Sequence, residues 1–336
     1  MRAIAEYLIR FERSLRRHAL RTALITVAVI VVGVVTYAHL VGPMQSYAKT
    51  EEFIVNPGTS VSQVAAELKS QGYVRSTFLA RIALAHDADT KGVHPGGYKI
   101  GKQMDLWSIA RTLTTMPSLV FVTIPPSVRK EQIGEILADE LNWGDKQKAE
   151  WAQATSADAS VAEGVYYPDT YLIATDQPPT AIAARLRSRF TDVFAPYAKE
   201  AEKKGLDWND VLTMASIIDR EAGANDKELV SGILWNRVES GMKLQADATL
   251  QYVKGTVGNW WPTPHAADKY LNSPFNTYKH TGLPPHPIDN PSVAAVEAAL
   301  NPDSTGCLFY LHDANHQIHC SVTYSGQKQN VDIYLR

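Results

Sequence analysis

The chain has 336 residues, enough for two modest domains at roughly 100–200 residues each. It is 45% apolar and 20% charged, an ordinary globular composition that argues against disorder. The formal net charge of −2 argues against a nucleic-acid partner, which calls for a basic excess.

The charge is uneven. Residues 1–21 hold six arginines against two glutamates, a net +4 that leaves −6 for the rest. TALITVAVIVVGVVTYAHLV, Thr22 to Val41, follows without a formal charge. About 20 such residues span the hydrocarbon core of a bilayer as a helix. The arginines before it predict a cytoplasmic residue 1–21 segment by the positive-inside rule, and hence a retained membrane anchor with residues from about 42 onward outside the cytoplasm. A cleavable signal peptide is the competing reading. It expects an apolar region of roughly 7–15 residues and a small-residue cleavage site, and neither is present.

A polar linker covers residues 42–50. In FIVNPGTSVSQVAAELKSQG, Phe53 to Val55 read as a strand and Pro57–Gly58 as a turn. Ser60 and Gln63 form a capping box ahead of Val61, Val64, Ala65 and Leu68 at helical spacing. A helix over about 77–86, a strand near Tyr98–Ile100 and a helix from Leu106 to Leu113 complete a small α+β module, residues 51–118, for binding or spacing. A connecting region, 119–200, starts with a strand at Leu119–Ile124. Ser127 is expected to cap a helix bearing Ile133, Ile136, Leu137 and Leu141. The loop EGVYYPDTY, Glu163 to Tyr171, crowds three tyrosines around Pro168–Asp169. A helix from Ala181 to Phe190 closes the region.

The remaining stretch, 201–336, carries the odd polar clusters. MASIIDREAG, Met214 to Gly223, ends an apolar helix in two acids. At about 100° per residue, Glu221 projects between Met214 and Ile217, Asp219 near the far edge of the apolar arc, and Arg220 on the wet face. Residues two apart do not face each other, so the acids cannot share a proton. A glutamate held against apolar groups has a raised pKa, as a general acid near neutral pH requires. The negative end of the helix dipole pushes the same way. A structural ion pair with Arg237 is the alternative for Glu221. Trp260–Trp261 suit either sugar stacking or core packing. Cys307 and Cys320 flank CLFYLHDANHQIHC. A hairpin folded about Asp313–Ala314 would oppose them closely enough for a disulfide in an oxidising compartment. Two reduced, packed thiols are the alternative. The ten histidines show no metal-ligand spacing with these cysteines, so no metal or other cofactor is expected.

Several segments in order match a known pattern: EGVYYPDTY, ASIIDREAG, LWNRVESGMKLQADATLQY and SPFNTYKHTGLPPHPIDNP. Together they resemble the MltG/YceG-like family of endolytic murein transglycosylases, over nearly the whole chain. The resemblance implies a membrane helix, a LysM-like module and a larger mixed α/β catalytic domain, an α+β protein overall. It implies that Glu221 is the catalytic acid, the second member of an E-x-E pair whose first member is Asp219 here. Gln245, Asp247, Asn276, Thr277 and Tyr278 occupy the family's substrate-binding or supporting positions. A proline of the common Q-S/T-D-P-T segment is replaced by Ala248. The implied reaction cuts MurNAc–GlcNAc bonds of peptidoglycan glycan strands and leaves 1,6-anhydro ends. The implied partners are peptidoglycan synthases. A non-catalytic glycan-binding scaffold and a hydrolase using Asp219 or Asp247 as base are the competing readings.

Overall fold

The computed structural model describes residues 2–87, 92–156 and 163–336, with backbone alone for residues 2–17. The chain divides into two units, Met1–Val120 and Phe121–Arg336.

The first unit opens with helix α1, Arg2–Val41. Its stretch His18–Val41 is long and apolar enough to cross a membrane, with mean hydropathy 2.4. Strand β1, Thr50–Val55, leads to helices α2, Val61–Ser70, and α3, Thr77–Asp87. The Ser60–Gln63 capping box forms, satisfying backbone donors at both ends of the first turn of α2. Strand β2, Gly96–Gly101, pairs antiparallel with β1 from Thr50↔Gly101 to Val55↔Gly96. Helix α4, Leu106–Leu113, is capped by Asp105, whose carboxylate accepts the Ser108 N–H. Phe53, Leu68, Leu84, Tyr98, Ile109 and Leu113 fill the core between helices and strands. The structure is a mixed α+β module behind an apolar helix.

The division between units falls within β3, Leu119–Thr123. The second unit continues with α5, Lys130–Leu141, and α6, Asp145–Ala154, then β4, Thr170–Ala174. Ser127 does not cap α5. Arg129 holds that position, and Ser127 takes a left-handed φ of 59° with its N–H on the Asn290 carbonyl. The tyrosine-rich loop is anchored at Tyr166, which is 1% exposed and whose N–H the Asn290 side chain accepts.

Helix α7, Pro179–Lys204, outruns its expected end at Phe190, because Phe194 and Ala201 continue its buried stripe past Pro196. It packs beside α8, Trp208–Glu221, which also meets α9, Lys227–Glu239, α10, Asp247–Lys254, and α11, Val293–Leu300. Every residue from Val211 to Ile218 is buried, so α8 is a core helix surrounded on all sides. Its buried Ser216 is satisfied: the hydroxyl donates to the Thr213 carbonyl and accepts the Ile288 N–H. Burying Met214, Ile217 and Ile218 contributes roughly 1.5–3 kcal/mol each. That all-round packing fixes the position of whatever the last turn of α8 carries.

The hairpin β5, Phe309–His312, and β6, Ile318–Ser321, and helix α12, Tyr324–Tyr334, complete the unit. Cys307 and Cys320 form a disulfide with Cα atoms 5.9 Å apart. The register differs from a fold about Asp313–Ala314. Cys320 pairs with Tyr310, and the turn centres on Asn315. The Asp313 carboxylate sets that centre by accepting the Asn315 and Gln317 N–H groups. Cys307 therefore lies just before β5 and reaches Cys320 from outside the ladder.

Candidate active site

Helix α8 stops at Glu221 because Ala222 turns extended, with φ −86° and ψ 151°. The Asp226 carboxylate then accepts the Gly223 N–H and holds the exit. Glu221 thus sits at the last position of a buried helix. It faces a cleft of about 410 Å³ shared with Arg237, Leu244, Gln245, Asp247, Lys269, Tyr278 and Tyr310.

Two donors hold the Glu221 carboxyl. Oε1 accepts the Ala248 N–H, 3.3 Å, from the first turn of α10, and Oε2 accepts the Tyr310 hydroxyl, 3.1 Å, from β5. The Glu221 pKa is raised, chiefly because burial penalises the charged form; the Ala248 and Tyr310 hydrogen bonds oppose the rise, and the Asp247 charge adds to it. Arg237 acts on Glu221 only as a nearby charge. Its guanidinium donates to the Leu308 and Leu244 carbonyls, tying α9 to the hairpin and to the segment before α10. The predicted alternative, a Glu221–Arg237 ion pair, is not formed. Burial also pushes the Tyr310 phenol well up, so it stays a donor through neutral pH.

Asp247 begins α10 and accepts the Tyr278 hydroxyl at 2.7 Å. Gln245 adopts a left-handed φ of 53°, a conformation that bulky residues seldom take, and it lines the same cleft. Glu221, Gln245, Asp247 and Tyr278 are therefore brought together. Asn276 and Thr277 are not. Asn276 is fully buried, donating to the Lys269 and Leu271 carbonyls and accepting the Tyr278 N–H. The Thr277 hydroxyl accepts the Ala246 N–H and meets the Thr249 hydroxyl at 2.9 Å. Both brace the two loops that present Gln245, Asp247 and Tyr278.

Asp219 stands apart from Glu221. It accepts the Ser292 N–H and hydroxyl and pairs with Lys227 at 2.7 Å. It pins the end of α8 to the starts of α9 and α11. Arg220 corrects the helical-wheel reading, since it does not point into water. Its guanidinium lies 3.4 Å from the Trp261 ring centre and 4.0 Å from the fully buried Asp289. Trp260 and Trp261 are likewise engaged: their indole N–H groups donate to Glu135 and Gln132, and Arg129 covers Trp260. Among the described residues no cluster of three His, Cys, Asp or Glu side chains could hold a metal ion.

Tyr310 is the site residue that the sequence reading missed. It lies 89 residues beyond Glu221, and its strand reads as ordinary half-buried β structure. The available signal was a phenol within a cysteine-closed hairpin.

The arrangement is a neutral-biased carboxylic acid, oriented by two donors, in an open polar cleft with one further carboxylate. It can deliver a proton to a bound polar substrate and take one back.

Comparison with known proteins follows the same lines. A family model described as the YceG-like family matches residues 53–333. An endolytic murein transglycosylase of Bacillus subtilis (strain 168) is 28% identical over 323 residues, covering 88% of each chain. An endolytic murein transglycosylase of Streptococcus pneumoniae serotype 2 (strain D39 / NCTC 7466) is 29% identical over 173 residues, 51% of this chain and 31% of that one. The crystal structure of a yceG-like protein of Listeria monocytogenes matches with a TM-score of 0.57 at 24% identity, over 84% of this chain and 99% of that one, and so bears on the fold.

Proposed function

Since the chain belongs to the YceG-like family, we propose that it is an endolytic murein transglycosylase with Glu221 as its single acid and base. The observation that carries this reading is the Glu221 carboxyl itself: raised in pKa, free of an ion pair, held by two donors and open to a cleft.

In the proposed reaction Glu221 protonates the oxygen between N-acetylmuramic acid and N-acetylglucosamine, and that bond to C1 breaks. The resulting carboxylate removes the proton from the muramoyl C6 hydroxyl, whose oxygen closes on C1. The product is a 1,6-anhydro end, no water is consumed, and Glu221 is again protonated. Attack from within the same sugar supplies the nucleophile by proximity, so no second carboxylate is needed. Ala248 and Tyr310 stabilise the intermediate carboxylate. Asp247 and Tyr278, with Gln245, line the cleft where sugar hydroxyl and acetamido groups would bind. The competing hydrolase would use Asp247 as its second carboxylate, because that side chain lines the same cleft.

Digestion of peptidoglycan in ¹⁸O-water separates the two. The proposal expects anhydro-muramoyl ends without ¹⁸O. Reducing ends carrying ¹⁸O would establish hydrolysis, and no cleavage at all would leave a glycan-binding scaffold.

The membrane placement is also proposed: α1 spans the inner membrane with its arginine-rich start cytoplasmic, and residues from about 42 onward face the periplasm. The Cys307–Cys320 disulfide suits that oxidising side. The module at 51–118 would then serve as a LysM-like glycan-positioning domain, residues 201–336 as the catalytic region, and peptidoglycan synthases as the partners that supply nascent strands.

A further inference from the structure

The apolar helix α1 does not run free of its unit. Trp107, at the start of α4, donates its indole N–H to the Tyr37 hydroxyl at 3.1 Å. Arg75, just before α3, donates to the Gly42 and Pro43 carbonyls at 2.7 and 3.0 Å. The Met44 and Gln45 N–H groups both reach the Lys102 carbonyl. Val41 packs on the same core as Leu79, Met104 and Trp107. The chain is thus bound to the module within a few residues of leaving α1. Tyr37 lies four residues before the end of α1, about 6 Å back along its axis. Trp107 is therefore held level with the last turn of the apolar span, not beyond it.

The outward face of α3 continues from that contact. Phe78 is 67% exposed and Ile82 45% exposed, and they share a face at a spacing of four with His86. The His86 ring meets the Trp107 ring edge-on at 6.0 Å. Phe78, Ile82, His86, Trp107 and Tyr37 form a connected stripe from the module into the span. In water these two apolar side chains would have no partner for their outward surfaces. Tryptophan and tyrosine at this level match the headgroup zone of a bilayer, and the exposed Arg81 between Phe78 and Ile82 suits phosphate.

We propose that this face of α3 lies in the headgroup layer of the membrane that α1 spans, with a phospholipid surface as its occupant. The module then touches the bilayer a second time and is fixed in height above it. The inference rests on reading α1 as membrane-spanning, and the test separates the two.

Both cysteines of the chain are in the disulfide, so an added cysteine is a unique labelling point. The full-length protein is placed in vesicles of phosphatidylethanolamine with a minority of phosphatidylglycerol. Nitroxide labels at Phe78→Cys, Ile82→Cys and Val31→Cys are read for collision with oxygen and with a water-soluble nickel chelate. The expected result is a deep label at Val31 and oxygen-favoured labels at Phe78 and Ile82, at a depth of roughly 5–10 Å. A deep Val31 label with Phe78 and Ile82 labels as nickel-accessible as free nitroxide in buffer overturns the surface contact and leaves the span standing. An aqueous label at Val31 overturns both.

Discussion

Replacing Tyr310 by phenylalanine removes one oxygen from the site and leaves the ring that packs against the core. In the folded protein that oxygen donates to Glu221 Oε2 at 3.1 Å. A hydrogen bond to a charged group contributes about 1.5–3 kcal/mol, and one to a neutral carboxyl about 1 kcal/mol. The hydroxyl therefore favours the carboxylate over the acid by roughly 0.5–2 kcal/mol. At 1.36 kcal/mol per pKa unit, its loss raises the Glu221 pKa by about one unit. The sign follows from the chemistry: the acid form starts the reaction, so activity falls as pH rises through this pKa. The assay is the pH dependence of kcat/KM on purified glycan strands, with melting temperature as a control for folding. Tyr310→Phe should carry the alkaline limb upward by about one pH unit, while kcat on the plateau falls several-fold as the carboxyl loses one of its two anchors. An alkaline limb at the wild-type position, in a folded variant, would refute the claim that Tyr310 tunes the acid.

Asp219→Ala strips three partners from the end of α8 and leaves Lys227 without its carboxylate. Losing charge-assisted hydrogen bonds of this kind costs about 1.5–3 kcal/mol, so thermal melting should show a clear loss of stability, whereas a merely surface acid would cost almost nothing. Reducing the Cys307–Cys320 bond opens a closure of 13 residues' separation. A loop of that size contributes about 3 kcal/mol, so the melting temperature should drop by several degrees in reductant and stay put in a Cys307→Ser/Cys320→Ser variant. Asp289 is fully buried, and burial together with the Asp219 charge holds its pKa well above the ordinary 3.8. An acid with a raised folded pKa stabilises the fold fully below its unfolded pKa and loses that contribution as pH rises towards the folded value. Asp289→Asn should therefore gain stability relative to wild type as pH climbs above about 3.8, followed by melting across pH, and a pH-independent difference would contradict the assignment.

The local grammar of this chain is readable, and its long-range contacts are not. Ser60 with Gln63 announces α2, and Asp207 announces α8, because capping is a matter of three or four consecutive residues. The helical wheel separates Glu221 from Asp219 correctly, since that depends only on 100° steps. The same wheel sends Arg220 into water, because it cannot know that Trp261 and Asp289 wait on that side of α8. Asn276 and Thr277 look like ligand-binding polar residues and are spent bracing loops. Only the fold shows that the Lys269, Leu271 and Ala246 backbone groups need them. The hairpin register shifts because Asp313 moves the turn centre to Asn315, a side-chain effect that outweighs symmetric placement of the cysteines. Tyr310 acquires its meaning solely by arriving beside Glu221.

The most direct measurement is turnover by Glu221→Gln on peptidoglycan, with products resolved by mass spectrometry. The amide keeps the size of the side chain and cannot give up or receive the proton, so no anhydro-muramoyl fragments should form while strand binding persists. Fragments released at the wild-type rate would show that the proton comes from another group.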